Sequence, residues 1–282
     1  MIVIKKIIKL FLDAMRHPTP IKYIFVRFLV KTGLCEHLKI NRDGYKLHFF
    51  RTNVSVSMWL MGQAYYRDEE ALLKQLLSPG DNFVDVGSNI GHLAIVGKKR
   101  VKDGRVIAIE AHPQTALYAK KNFKLNGIDV EMLNFAVGDK AGVMTFTDLF
   151  ADDCNSIAQD EETGIVVTVK TLDELLGNLN EIKLLKIDVE GYEFLAFQGA
   201  TDVLKRVQFI YFEVWDKLTA RYKYSPRDII DLLEGLKFKI YRVKGPLDYE
   251  LILPNESFSN LENLLAISTH PKATKGRSEQ PP

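Results

Sequence analysis

The segment "LLKIDVEGYE" carries Lys186, Asp188, Glu190 and Glu193 within one short stretch. In an extended strand the first three share a face, because side chains alternate from side to side. Carboxylates placed this way can orient a hydroxyl or take its proton as it reacts. Asp188 is the first candidate for general base or orienting group, with Lys186, Glu190 and Glu193 as its catalytic company. The competing assignment is structural: an ion pair at a strand end, followed by carboxylates that suit the start of a helix. Asp188, Glu190 and Glu213 could also hold Mg²⁺. No histidine lies among them and no ligand spacing is evident, so no metal is expected.

A second stretch, "DNFVDVGSNIGHLAIV", reads as strand, glycine loop and helix. In open α/β sheets such a loop binds ligands beyond the strand ends. Gly87 permits a tight turn, and Gly91 permits close approach to a ligand or to the next helix. Glu110 ends the following strand, about 20 residues on, where a carboxylate can accept both hydroxyls of a ribose. The pattern is D-x-G-x-N-x-G, not the dinucleotide G-x-G-x-x-G. Asp85, two residues before the first glycine, would repel a pyrophosphate and suits a cation. S-adenosylmethionine has a sulfonium, an ammonium and a ribose but no phosphate, so it fits better than NAD. An NAD-dependent Rossmann oxidoreductase is the rival enzyme.

The stretches "FVDVGSNIGHLAI", "VIAIEAHP", "NFAVGD", "LLKIDVEGYEFLAFQGA" and "FIYFEV" resemble the FkbM family of methyltransferases. The resemblance spans roughly residues 65–245. It implies an α/β class I methyltransferase (Rossmann-like) fold: a mostly parallel seven-stranded sheet, helices on both faces, one antiparallel strand in the last pair. It implies S-adenosyl-L-methionine as cofactor and O-methylation of a hydroxyl on a carbohydrate or secondary metabolite. Carried over by position, Asp85, Gly87, Asn89 and Gly91 would line the methionine part and Glu110 the ribose. Asn134 and Ala136 follow the third strand, where the adenine edge rests. Tyr66 and Glu70 match a Tyr-x-x-x-Glu stretch that could close over the cofactor. Ser88 stands where the family often has Ala.

The elements that must position these residues alternate. Strands "NFVDVG", "RVIAIE", "DVEMLNFAVGD", "IKLLKIDVEG" and "VQFIYFEVW" are separated by helices such as "PQTALYAKKNFKLNG", with Pro113 at its start and Gly127 past its end. That alternation predicts helices on both faces of a parallel sheet. "GYKLHFFRTNVSVSMW" has the β-branched and aromatic residues of a hairpin or two short strands. "FKIYRV" and "YELILP" make a closing strand pair. Thr171 and Ser225 are expected helix caps. The polar loop "FADDCNSIAQDEETG", with Asn155 and Ser156, is the expected acceptor-recognition loop. Trp215 is expected as a further wall, and His92 as a packed helix-start residue.

The chain has 282 residues, 38 basic and 36 acidic, with a formal charge of +2. That balance gives no reason to expect nucleic acid as a partner. Cys35 and Cys154 lack metal spacing and suit a reducing, cytoplasmic setting. Residues 1–44 are expected as a helical, basic amphipathic extension, 45–267 as the methyltransferase domain and 268–282 as a disordered tail. Lys5, Lys6, Lys9, Arg16, Lys22, Arg27 and Lys31 interleave with aliphatic residues in the extension, against a single acid, Asp13. Those helices either pack on the domain or dock peripherally on an anionic membrane face, the inner one. A non-catalytic, membrane-docked binding protein is the alternative from another class. The expected partner is a small-molecule or glycan acceptor. The oligomeric state is left open.

Overall fold

The computed structural model describes Met15 and residues 18–159, 162–253 and 256–269. The chain forms two compact units: residues 1–67 with 150–153, and residues 68–149 with 154–282. The division therefore falls after Arg67, not after residue 44. The expected tail lies almost wholly outside the described residues.

In the first unit, α1 (Pro20–Thr32) starts with proline and ends at Gly33, whose φ of 80° caps it. Strands β1 (Lys39–Arg42) and β2 (Tyr45–His48) pair across the two-residue turn Asp43–Gly44, a favoured hairpin sequence. The expected strands end there. Asn53–Met61 is a helix, α2, although "NVSVSMW" alternates like a strand. Thr52 caps it, its hydroxyl accepting from the Ser55 N–H at 3.2 Å. Asp152 adds a second cap, accepting from the N–H groups of Asn53 and Val54 at 2.6 and 3.1 Å. Capping, with burial of Val54, Val56 and Met58, outweighs the modest preference of β-branched residues for strands.

The second unit begins with α3 (Arg67–Leu76), whose Glu70, Leu72, Leu73 and Leu76 are buried. The chain then alternates through β3 (Phe83–Val86), α4 (His92–Val101), β4 (Val106–Ile109), α5 (Pro113–Leu125) and β5 (Glu131–Leu133). A small sheet follows, ordered β6 (Ala136–Val137), β8 (Gly164–Lys170), β7 (Gly142–Thr147). Helix α6 (Leu172–Leu176) carries the expected cap: Thr171 and Glu174 form a reciprocal capping box. Then come β9 (Ile182–Ile187), α7 (Glu193–Gln198), β10 (Val207–Val214), α8 (Asp216–Thr219) and α9 (Pro226–Gly235). At α9 the Asp228 carboxylate accepts from the Ser225 N–H and hydroxyl, both at 2.7 Å. β11 (Phe238–Gly245), β12 (Asp248–Leu251) and β13 (Glu262–Ser268) complete it.

The main sheet has the order β12-β11-β13-β10-β9-β3-β4-β5. β9 pairs parallel with both β3 and β10, and β3 and β5 pair parallel with β4. β13 is antiparallel to both neighbours, β10 and β11. The expected seven strands are eight: β12 extends the edge by pairing antiparallel with β11. "FKIYRV" and "YELILP" do pair, but an unexpected strand, β13, wedges between β11 and β10. Its Leu264–Ile267 run is buried, the pattern of a strand covered on both faces. β3 and β4 are likewise buried along their whole length.

Strand order reverses at β3. From it the chain steps outward to β4 and β5, then returns to lay β9 on the other side. The loops after β3 and β9 thus leave adjacent strands in diverging directions, and a crevice opens between them.

Candidate active site

β3 and β9 pair in register, Asp85 against Lys186 and Val86 against Ile187. Lys186 is in turn the register partner of Tyr211 on β10. Registered partners share a sheet face, so Asp85, Lys186 and Tyr211 form one row across three strands. Asp188 and Glu213 lie two residues further along their chains, at the C-terminal edge.

Lys186 joins this row. Its ammonium lies 3.2 Å from Asp188 Oδ2 and 3.5 Å from Asp85 Oδ1, and it donates to the Gly87 carbonyl at 3.2 Å. Asp85 is fully buried, and neither carboxylate oxygen has a hydrogen-bond partner. The cation that Asp85 suits is supplied by the chain itself. Burial pushes the Asp85 carboxyl up, and Lys186 opposes that push. For Lys186, burial acts to lower the pKa, but Asp188 and then Asp85 outweigh it and hold the ammonium charged. Within the trio, the side chains of Asp85 and Lys186 are 1% and 7% exposed, while that of Asp188 is 33% exposed. Asp188 is the member of this ion-paired set that reaches the surface.

The glycine loop is shaped by contacts within the protein. Gly87 has φ +72°, and a Cβ there would fall 1.7 Å from the Asp188 carbonyl oxygen. Its bareness lets the two loops touch. Gly91 has φ +81°, and a Cβ would meet the Phe123 ring at 2.5 Å. Of the two approaches expected at Gly91, the structure shows the one to a helix, α5. Asn89 also takes a positive φ, 49°. Its N–H donates to Glu110 Oε2 at 2.9 Å, while Glu110 Oε1 accepts from the His112 N–H at 2.9 Å. Glu110 thereby clamps the loop to the end of β4. A carboxylate has acceptor capacity beyond two such bonds, so Glu110 fits the sugar hydroxyls of a nucleoside. In the same loop the Ser88 hydroxyl is buried with no hydrogen-bond partner.

Other expected residues do different work. Asn134 donates to the carbonyls of Glu110 and Ala111 at 2.8 and 3.0 Å, fixing the backbone that carries Glu110. The Ala136 side chain packs in the small sheet's core with Phe146, Val167 and Tyr192. Glu70 and His92 are both buried and bond each other, Oε1 to Nε2 at 3.1 Å. Tyr66 belongs to the first unit, with φ 62° and its ring edge-on to Tyr65 at 4.5 Å. Asn155, expected to recognise an acceptor, instead ties its own loop. It accepts from the Thr147 hydroxyl and the Leu149 N–H at 2.9 and 2.8 Å. Trp215 is half-buried and donates to the Ser259 carbonyl at 3.2 Å.

Glu193 is also reassigned. It is buried, and its Oε1 accepts from the N–H groups of Val189 and Gly191 at 3.0 and 3.2 Å. It holds the turn after β9, where Glu190 and Gly191 have φ values of 56° and 96°. Burial pushes its carboxyl up to about 7, although those backbone donors pull it down. Tyr224 braces the same turn, its hydroxyl donating to the Gly191 carbonyl at 2.6 Å. No local pattern marks this tyrosine, because α7, β10 and α8 intervene.

Three side chains around Asp188 were not expected as catalytic. Burial first, then Asp188 and Glu193, raise Glu213 well above the usual carboxylate range. Burial raises Glu69, with Asp188 adding and Lys186 opposing. Tyr211 is raised by burial, then by Glu69 and Asp188. Glu213 was legible as a charge ending an apolar strand. Glu69 was masked as one of many acids in the first turn of a helix. Among the described residues no group of three or more His, Cys, Asp or Glu is arranged to hold a metal.

An open sheet of this order, with a glycine loop at its switch point and a carboxylate closing the neighbouring strand, is the frame of a class I S-adenosylmethionine-dependent methyltransferase. The chain belongs to the methyltransferase FkbM domain family, whose profile matches residues 85–240, more than half of the sequence. It is 26% identical over 235 residues to the hexuronic acid methyltransferase AglP of Haloferax volcanii, covering 79% of this chain and 91% of that protein. It is 29% identical over 150 residues to Methyltransferase 1 of Beauveria bassiana, covering 44% and 60%. Among solved structures, precorrin-6y C5,15-methyltransferase of Geobacter metallireducens matches with a TM-score of 0.42 at 14% identity, covering 72% and 87%. Family membership sets aside the NAD-dependent reading and the non-catalytic one.

Proposed function

We propose that this methyltransferase acts on a hydroxyl of a carbohydrate, with Asp188 facing the reacting oxygen. The observation that carries this is the exposure of Asp188 at the crevice while its partners Lys186 and Asp85 stay buried beneath it. Bound S-adenosylmethionine supplies a methyl group on a sulfonium, whose thioether leaves without acid assistance. What the chain must supply is a more reactive hydroxyl. Asp188 accepts that hydroxyl's hydrogen bond and draws off its proton as the oxygen attacks. Lys186 fixes the carboxylate in position. Glu110 and the Gly87–Gly91 loop hold the cofactor. Burial pushes the Glu213 carboxyl up to about 8, so it offers a donor as well as an acceptor to a neighbouring sugar hydroxyl, and Glu69, pushed up in the same direction, stands beside it. The hexuronic acid named for one relative supports a sugar acceptor.

The test is Asp188→Asn. Methyl transfer should fall about a hundredfold or more, with S-adenosylmethionine affinity within about twofold, as read by isothermal titration. Full activity would remove Asp188 from the role. Labelled methyl recovered on nitrogen or as an ester would overturn the hydroxyl acceptor.

A further inference from the structure

Helix α1 is apolar on two faces. Residues advance about 100° per step, which sets Val26 and Leu29 on the side that is buried. Ile21, Ile24, Phe25 and Phe28 gather on the other. They are 85%, 42%, 52% and 53% exposed. A helix on the surface of a soluble protein ordinarily turns charged residues to that side, and a contiguous bare patch of large apolar groups marks a contact surface. Phe150 continues the patch: it is 50% exposed, and the Arg27 guanidinium sits over its ring at 5.8 Å from the centroid.

The charges on this helix are of one sign. It holds Lys22, Arg27 and Lys31 and no acid. By the angular step, Arg27 and Lys31 border one side of the patch, while Lys22 falls on the packed side, between Leu29 and Val26. The Lys22 ammonium is anchored to the Leu60 carbonyl at 2.8 Å, which keeps the exposed face turned outward within this unit. The sequence leading into the helix repeats the composition, with Lys5, Lys6, Lys9 and Arg16 among aliphatic residues and Asp13 as its single acid.

We propose that the exposed face of α1 is a docking surface for an anionic lipid bilayer. Phenylalanine and isoleucine side chains enter the headgroup boundary, and the flanking Arg27 and Lys31 meet lipid phosphates. No helix among the described residues is long and apolar enough to cross a membrane. The contact is therefore of a helix lying in the interface plane. Charge selects this occupant over a second copy of the chain, because two such faces would bring cations together.

The experiment is co-sedimentation of the full chain with vesicles of phosphatidylcholine alone and of phosphatidylcholine mixed with phosphatidylglycerol. The chain should pellet with the anionic vesicles and remain in solution with the neutral ones. The pair Phe25→Ser and Phe28→Ser, at exposed positions, should weaken partition about tenfold or more. Lys31→Gln should weaken it about fivefold. Methyl transfer to a soluble acceptor and the thermal midpoint should hold in all variants. Three results would overturn the proposal. One is no binding to anionic vesicles. Another is binding that the phenylalanine pair leaves unchanged, which would assign it to the basic residues alone. The third is self-association by light scattering that the same pair abolishes while vesicles stay unbound, which would give the face to a second copy.

Discussion

Two loops meet at the crevice, and they are built from different materials. The loop after β3 gets its shape from backbone conformation: Gly87, Asn89 and Gly91 all take positive φ, and Asn89 is clamped by Glu110. The loop after β9 has two such residues, Glu190 and Gly191, but is held by a buried carboxylate and a tyrosine hydroxyl, Glu193 and Tyr224. The first presents backbone; the second presents a charge, Asp188. They are joined by Lys186, which reaches the carbonyl of Gly87 and the carboxylate of Asp188 together. A loop made of glycines announces itself in sequence. One held by side chains, Tyr224 among them from 33 residues away, does not, although both are equally determined by the fold.

The largest effect is expected where the loops are joined. Lys186→Met leaves Asp85 and Asp188 without their shared cation, and removing one partner of a buried ion pair costs about 3–5 kcal/mol. Adding Asp85→Asn should return much of that loss, because one of the stranded charges goes with it. A double-mutant cycle by urea unfolding measures the recovery. Purely additive losses would show that Asp85 and Lys186 do not work as a pair.

Next comes the point where the loops touch. Gly87→Ala places a methyl group against the Asp188 carbonyl at a φ that L residues rarely adopt. Strain and displacement together should cost about 3 kcal/mol. Because the clash moves Asp188, kcat should fall along with cofactor affinity. A variant losing cofactor binding alone, with kcat intact at saturation, would mean the loops are independent.

The loop after β9 should also be the one that senses pH. The Glu193 carboxyl has an ordinary value of 4.5 and is pushed by burial to about 7 in the folded chain. The folded state therefore holds its proton where the unfolded state has lost it, so this contribution is full below about pH 4.5 and is lost as pH rises through 7. The loss should be on the order of 3 kcal/mol. Glu193→Gln keeps an acceptor for the Val189 and Gly191 N–H groups and removes the titration. Denaturant midpoints taken from pH 5 to 8 should decline less steeply in this variant than in the parent. Identical slopes would place the titrating group elsewhere, Glu213 being the next to examine.

The same contrast explains what could be read from sequence. The strand–loop–helix around Gly87, the parallel alternation and the Lys186–Asp188 pair were visible because spacing within a short window determines them. α2 was misread because the Asp152 cap that supports it comes from about a hundred residues away. β13 was missed because its place between β10 and β11 is a matter of topology, and its apolar run follows an irregular stretch. Glu193 was assigned to chemistry because a carboxylate at a helix start looks the same whether it faces a substrate or its own turn. Ala136 follows a strand end, and its place in a second sheet depends on pairing with β8, which lies some thirty residues further on.

The smallest effect concerns a residue that serves the backbone of the first loop at one remove. Asn134 spans the carbonyls of Glu110 and Ala111 and touches the sequence of neither loop. Asn134→Ala should cost about 1 kcal/mol of stability, the worth of an ordinary hydrogen bond. Its influence on S-adenosylmethionine passes only through the position of Glu110, so the affinity should fall less than in Glu110→Ala and kcat should hold. Asn134→Ala weakening the cofactor as much as Glu110→Ala would mean that the amide meets the ligand itself. The first loop would then present a side-chain group to the ligand as the second does, and the contrast between backbone and side chain would narrow.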